Sequence, residues 1–399
     1  MAAPFSALEA SVAQGVQDGI LPGAVFFAKD KSGKLDYASA VGHASLATKA
    51  PMKTDTMLAL ASMTKLLTSI AAVQLVERGL ITLDTDVSPY LPGLAAQPVI
   101  TSSSPQVTLT PRTKPILLRH LLTHSSGCGY RFIQPPIAAW VQQHYGAPNP
   151  PPSAEDPPTV DNHVNWPLLF EPGTGWAYGS GIDWAGKLVE VLSGLDLESY
   201  FQQHILAPLG IPLESITFYP ERHESLDKTR LAGMTSRNPA TGRVEHFDMG
   251  KKPAERAAYG GEGATADLGE YIKVMYSLLV DDGKLLKPET ARLVFRPWLK
   301  EPEAKEALSK EIPAPWVVGV VPDTGEYDWG LAGLLVDGDK HEYRKSGTLL
   351  WGGMFNLTWF IDRTAGVCGV FGTQLMQPGD PQVEVYIKAF EDEIYRQIA

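Results

Sequence analysis

The sequence predicts an α/β (α+β) protein in which an antiparallel sheet, flanked by helices, is interrupted by a mostly helical lobe. Three observations carry this expectation. Short apolar runs rich in Val, Phe, Trp and Leu cluster near the N-terminus and again beyond Trp316. Turn residues separate consecutive runs, as in hairpin-linked antiparallel strands. Between the two clusters, from about Asp84 to Glu224, the pattern changes to helical pieces and long loops.

The first segment, MAAPFSALEASVAQGVQDGI, alternates apolar and polar residues as an amphipathic helix does. GAVFFAKD (Gly23–Asp30) and KLDYASAVG (Lys34–Gly42) read as two strands joined by the turn KSGK. ALASMTKLLTSIAAVQLVERGL (Ala59–Leu80) reads as one long apolar helix. Further helices are expected in PILLRHLLTH, in DWAGKLVEVLSGLDLESYFQQHI and over Asp267–Asp282. From Trp316 the strand signals are WVVGVV, WGLAGLLVD, HEYRKSGTLL, NLTWFID and GVCGVFGTQ, followed by a terminal helix, VEVYIKAFEDEIYRQI. The expected organisation is a discontinuous sheet lobe (1–83 and 225–399), a helical lobe (84–224) and an active site in the cleft between them. Two Pro-, Ser- and Thr-rich segments, 97–115 and 147–158, are expected to form functional walls or mobile flaps.

Composition narrows the function. The chain has 399 residues, 44% of them hydrophobic and 20% charged, with a net charge of −11, so the basic face of a nucleic-acid binder is not expected. The N-terminus lacks the basic start and apolar stretch of a signal peptide, and no run of about 20 apolar residues occurs. A soluble, cytoplasmic protein is expected. Cys128 and Cys368 are far apart and form no metal-ligand spacing; they are read as reduced thiols, with a single disulfide as the alternative.

Ser62-Met63-Thr64-Lys65 opens the long apolar helix and carries the chemistry. In S-x-x-K the two side chains lie one turn apart on one helical face. A serine hydroxyl needs a base, and a lysine serves only when neutral, a state favoured by burial and nearby positive charge. A second copy, Ser225 to Lys228, lies in the charged run ERHESLDKTR and is read as solvated surface. Two other features point the same way. Tyr178 sits on a Gly-rich turn just before a helix, where a phenol can shuttle protons. Gly352-Gly353 lets the backbone approach a ligand, and the next N–H, that of Met354, can donate to an oxyanion. Each has a plain structural alternative: a core aromatic, and a glycine pair at a strand bend.

The trio of S-x-x-K, Tyr178-Gly179-Ser180 and Trp351-Gly352-Gly353 resembles the serine β-lactamase and penicillin-recognising superfamily, more closely class C β-lactamases and family VIII carboxylesterases. LASMTKLLTSIAAVQLVERGLITLD, LRHLLTHSSG, FEPGTGWAYGS and the run from YGGEGA to DLGEYIKVMYSLL are similar to that family, and TKLLT, APLGI and the RK…GG…NxxWxID pattern resemble its lovastatin-type fungal acyltransferases. The resemblance spans nearly the whole chain and implies a β-lactamase/transpeptidase-like fold. It implies Ser62 as acylated nucleophile, Lys65 as its base and Tyr178 as the proton shuttle, with the N–H groups of Ser62 and Met354 as oxyanion donors. Trp351, Gly352, Gly353, Tyr130 and Ser180 are the expected substrate-binding residues. Lys345-Ser346-Gly347 competes for the third motif as a K-T-G-like box. Trp351-Gly352-Gly353 is preferred, and its apolar wall argues for neutral esters or thioesters over β-lactams.

The expected activity is therefore acyl transfer from a small-molecule ester or thioester, with an acyl carrier protein as an alternative donor, to a natural-product alcohol or to water. No cofactor and no metal are expected. The alternatives are a plain carboxylesterase, a class C-like β-lactamase and a catalytically inactive binding protein. Gly181–Lys187 imitates a phosphate-binding loop but has Leu188 where Ser or Thr is needed and no preceding strand. His120 and His124 have metal-ligand spacing without an acidic companion and are read as structural. G-x-S-x-G is absent, so an α/β-hydrolase elbow is not supported. Phe132, Trp140, Trp166 and Trp329 are further aromatic candidates for a pocket.

Overall fold

The computed structural model describes residues 5–104, 106–146, 158–250 and 256–399. A seven-stranded antiparallel sheet is assembled from both ends of the chain. Its order is Tyr327–Trp329, Leu334–Val336, Leu349–Gly353, Leu357–Asp362, Val367–Gly372, Gly23–Asp30 and Asp36–Gly42. Val25 faces Gly372, so the C-terminal hairpins dock directly on the N-terminal pair. Gly23–Ala28 is wholly buried, as its unbroken apolar run requires, whereas the edge strand Asp36–Gly42 is half exposed.

Alternation along Val367–Gly372 assigns the two faces. A Cβ on Gly369 would meet Ile394 of the terminal helix Pro381–Ile398, and one on Gly372 would meet Leu268 of the helix Leu268–Val280. The N-terminal helix Ser6–Gln17 packs beside the terminal one. A smaller sheet joins Met57–Ala59, Thr265–Asp267 and Ile216–Thr217. It ties residues on either side of the expected 224/225 border into one ladder.

The long apolar segment is not one helix. Met57–Ala59 is a strand, Ala61–Met63 a 3₁₀ turn, and only Thr64–Glu77 is α-helical. An unbroken apolar run is compatible with either structure, and the positive φ of Ala61, 45°, separates them. From Thr64 to Leu75 every residue is buried, because the helix Gly181–Ser193 packs against it. Among its polar members Thr68 donates to the Gly260 carbonyl at 2.7 Å and Gln74 donates to those of His204 and Leu285, whereas the Ser69 hydroxyl has no hydrogen-bond partner among the described residues.

One expected strand is absent and another is shortened to its end. Trp316–Val321 is irregular and lies against Gly352 through Val318 without joining the ladder. In HEYRKSGTLL only the final Leu349-Leu350 is strand. The stretch before it wraps a buried ion pair: Arg344 and Glu391 are both fully buried, 2.5 Å apart, and Arg344 also donates to the Val320 carbonyl. The Tyr343 and Arg344 N–H groups turn back to His341 Nδ1 instead of pairing with a strand. Of the two Pro-rich segments, 97–115 contains a hairpin, Val99–Ser102 with Thr108–Thr110. Residues 147–157 of the other lie outside the described residues. Both cysteines are free and buried. No helix among the described residues is long and apolar enough to cross a membrane.

Candidate active site

Ser62 occupies the 3₁₀ turn at the head of the buried helix, held on both sides. Leu60 N–H donates to the Ala264 carbonyl at 2.9 Å, and the Tyr271 hydroxyl donates to the Met63 carbonyl at 2.9 Å. Between these anchors Ala61 is held at φ 45°, a region costly for a residue with a Cβ. Lys65, 2% exposed, places Nζ 3.1 Å from Ser62 Oγ. The same nitrogen donates to the Gly261 carbonyl at 2.7 Å and to the Tyr130 oxygen at 3.2 Å.

Two tyrosines serve this lysine differently from what the sequence suggests. Tyr178 offers its ring, whose centroid is 4.8 Å from Nζ, while its oxygen accepts from Trp351 Nε1 at 3.0 Å. The hydroxyl that touches Lys65 belongs to Tyr130, expected only as a substrate-binding residue. Tyr130 is buried and donates to Asp183 Oδ2 at 3.2 Å. Burial, and then the Asp183 carboxylate, push its phenol well above the usual range, so Tyr130 stays protonated. A Cβ on Gly179 would collide with the Cys128 carbonyl, which explains the glycine after Tyr178: the turn lies flat on the segment leading to Tyr130.

The Trp-Gly-Gly motif forms the end of the strand Leu349–Gly353. Trp351 packs against Tyr178 with centroids 5.0 Å apart. Gly353 abuts the Leu60 carbonyl so closely that a Cβ there would clash, which sets the strand end and the following Met354 beside the turn carrying Ser62. Lys345, of the competing motif, is exposed on the turn before the strand, its N–H on Asp362. Ser180 is buried beneath the site at the start of Gly181–Ser193, its hydroxyl without a hydrogen-bond partner among the described residues. Trp329 lies 4.7 Å from Trp351 and Phe132 stacks on Tyr130, whereas Trp140 and Trp166 pack on a separate small core with Ile137 and Val141.

Three neighbours were not legible as site residues. Asp183 bridges Tyr130 and the Gly261 N–H, the latter at 2.9 Å. Burial and Glu262 raise its carboxyl to about 6, while Lys65 opposes that rise. The available signal was an acid within the apolar first turns of the helix Gly181–Ser193. Trp316 stacks on Tyr178 at 5.1 Å and 20°. His124 Nδ1 accepts from the Gly179 N–H, and burial, then Lys65, hold its imidazole well below the ordinary value and neutral. His120 and His124 thus pack as expected of core histidines. Among the described residues no three His, Cys, Asp or Glu side chains gather as a metal site.

The fold and this constellation coincide with a known group. Residues 8–391 match the Beta-lactamase family. The chain belongs to the beta-lactamase family. Within it, a lovastatin esterase of Penicillium rubens is 39% identical over 96% of both chains. A monacolin J acid methylbutanoyltransferase of Aspergillus terreus is 37% identical over 99% of this chain and 96% of its own. A solved mutant of the simvastatin synthase of Aspergillus terreus superposes with a TM-score of 0.87 at 36% identity, covering 99% of each chain. This family member is an enzyme of the acyltransferase and esterase type, with the β-lactamase/transpeptidase-like fold.

Proposed function

We propose that the protein transfers an acyl group from an ester or thioester, through an acyl-Ser62 intermediate, to a natural-product alcohol or to water. The observation that carries this reading is the buried Lys65 amine 3.1 Å from Ser62 Oγ. In the first step Lys65 Nζ takes the hydroxyl proton as Oγ bonds to the carbonyl carbon. The N–H groups of Ser62 and Met354 hold the oxyanion. Collapse breaks the bond to the leaving alcohol or thiol, which gains a proton by way of Tyr178. In the second step the incoming alcohol or water gives its proton to Tyr178 as it attacks the acyl carbon, and Ser62 Oγ is released with the proton held by Lys65.

The hydrogen bond from Trp351 supports the role of Tyr178. An oxygen that accepts from the indole keeps its own proton for donation. The reading places the reacting cleft between the sheet lobe (1–83 and 225–399) and the helical lobe (84–224), in a cytoplasmic enzyme of secondary metabolism. By kinship with the esterase and the methylbutanoyltransferase, the acyl group is small to medium and the acceptor bulky, with water competing; an acyl carrier protein is a candidate donor. Trp351 and Gly352 wall the acyl group, and Lys345, the candidate cation for a β-lactam carboxylate, is exposed on the turn before their strand.

Intact-mass measurement after mixing with a butyryl thioester tests the intermediate. A single butyryl adduct, absent in Ser62→Ala and discharged faster by an added statin-like alcohol, is the expected result. Equal turnover of p-nitrophenyl butyrate by Ser62→Ala and the parent protein would remove the nucleophile from the scheme. Hydrolysis of nitrocefin as fast as of the butyrate ester would favour the β-lactamase alternative.

A further inference from the structure

Lys65 Nζ sits among three oxygens, and their chemistry limits how its hydrogens can point. The Gly261 carbonyl, at 2.7 Å, only accepts. The Tyr130 oxygen, at 3.2 Å, carries one proton, and the Asp183 carboxylate takes it at 3.2 Å. Tyr130 therefore faces Lys65 as an acceptor. A neutral amine has two N–H bonds and one lone pair. Gly261 and Tyr130 use both N–H bonds, and the lone pair is left for the third neighbour, the hydroxyl of Ser62 at 3.1 Å.

We propose that Asp183 is a positioning residue, acting through Tyr130, that sets the direction of this hydrogen-bond chain so that Lys65 presents its lone pair to Ser62. The proposal rests on the acyl-Ser62 reading and adds the device that aims the base. Asp183 is itself oriented, because its other oxygen accepts from the Gly261 N–H at 2.9 Å. Residue 261 thus holds the lysine with its carbonyl and the aspartate with its amide. Asp183 and Lys65 are almost wholly buried, as is Tyr130 at 6% exposure, so the orientation is not scrambled by bulk water.

The same geometry states what reversal would do. In Asp183→Asn the Gly261 N–H still demands the side-chain carbonyl oxygen, which leaves the NH2 facing Tyr130. The amide then donates to the phenol oxygen, the phenol proton turns to Nζ, and the lone pair is occupied. Size and burial are unchanged; only the direction of the chain is inverted.

The test is the rate of the p-nitrophenol burst from p-nitrophenyl butyrate, with folding checked by circular dichroism. Asp183→Asn is expected to slow acylation by about 100-fold with KM changed by less than about two-fold, the low end of what general-base catalysis contributes. In a Tyr130→Phe background the same substitution should add less than about two-fold, because the transmitting hydroxyl is gone. A folded Asp183→Asn enzyme that acylates at the parental rate overturns the proposal. So does an undiminished loss in the Tyr130→Phe background, which would make the effect independent of the chain. If Asp183→Asn does not fold, Tyr130→Phe decides: a fall of about ten-fold in acylation supports the proposal, and a parental rate rejects it. Ser62→Ala is run alongside. Residual turnover there would count against the acyl-Ser62 reading itself, whatever Asp183 does.

Discussion

The indole N–H of Trp351 donates to the phenol oxygen of Tyr178 across 3.0 Å. The bond joins a sheet strand to the turn that begins the helix Gly181–Ser193, and it occupies one lone pair of the phenol. Trp351→Phe keeps an aromatic wall and deletes the donor. We expect kcat/KM for p-nitrophenyl butyrate to fall about ten-fold, the equivalent of one hydrogen bond of about 1.4 kcal/mol. Steady-state kinetics check this. An unchanged kcat/KM would mean that Trp351 serves only as a wall.

Gly353 touches the Leu60 carbonyl at the point where the sheet meets the turn carrying Ser62. In Gly353→Ala the new methyl group pushes against the Leu60 carbonyl and moves the Met354 N–H away from its proposed place at the oxyanion. Loss of one such donor costs about 10²- to 10³-fold in kcat. The expected pattern is a fall in kcat of that size with KM little changed. A loss below about five-fold would place the second oxyanion donor elsewhere.

Asp183 makes the reaction pH-dependent in a stated direction. Its carboxyl is raised from 3.8 to about 6 by burial and by Glu262, and lowered in part by Lys65 and His163. Tyr130 and the Gly261 amide complete its surroundings. Because the folded protein binds this proton more tightly than the unfolded chain does, the ionised carboxylate costs stability above pH 6. That cost is relieved as pH falls from 6 towards 4. Activity should run the opposite way. Protonation at Oδ2 turns Asp183 into a donor to Tyr130 and reverses the chain. The acylation rate should therefore bend downward near pH 6, and the bend should be missing in Asp183→Asn. A bend of the same shape in both proteins would assign it to another group.

Arg344 and Glu391 form a buried pair between the segment before the strand Leu349–Gly353 and the terminal helix. Burial raises the Glu391 carboxyl, and Arg344 opposes that rise. Arg344→Ala removes the partner and leaves the acid buried, a loss of about 3–5 kcal/mol in unfolding free energy. Denaturant unfolding measures it. Nitrophenyl ester kinetics at low temperature should be unaffected, since the pair makes no contact with Ser62, Lys65 or Tyr178. A loss under about 1 kcal/mol would show that Glu391 finds another partner or neutralises at little cost.

How much of this was legible in the chain can be judged residue by residue. Ser62 and Lys65 announce themselves because S-x-x-K is local: three residues of helical geometry are enough to bring the two atoms together. The strands Gly23–Asp30, Leu357–Asp362 and Val367–Gly372 are equally plain, since short apolar runs bounded by turn residues are local too. WVVGVV and HEYRK mislead for the same reason. WVVGVV has strand-like composition and HEYRK runs into an apolar strand end, yet Trp316 is drawn onto Tyr178 and Arg344 onto Glu391, and neither partner is visible from the local sequence.

The amino-acid order by itself determined that Ser62 and Lys65 meet at the head of the buried helix, that both chain ends join in one antiparallel sheet, and that the chain is of the acyltransferase and esterase type. Only the tertiary structure decided which tyrosine hydroxyl meets Lys65, that Asp183 stands behind it, and that Trp351 engages Tyr178. Those three contacts span 65, 53 and 173 residues of chain. Hydrogen-bond direction in a buried site depends on which donors and acceptors the fold brings within about 3 Å, and no periodicity in the sequence records that.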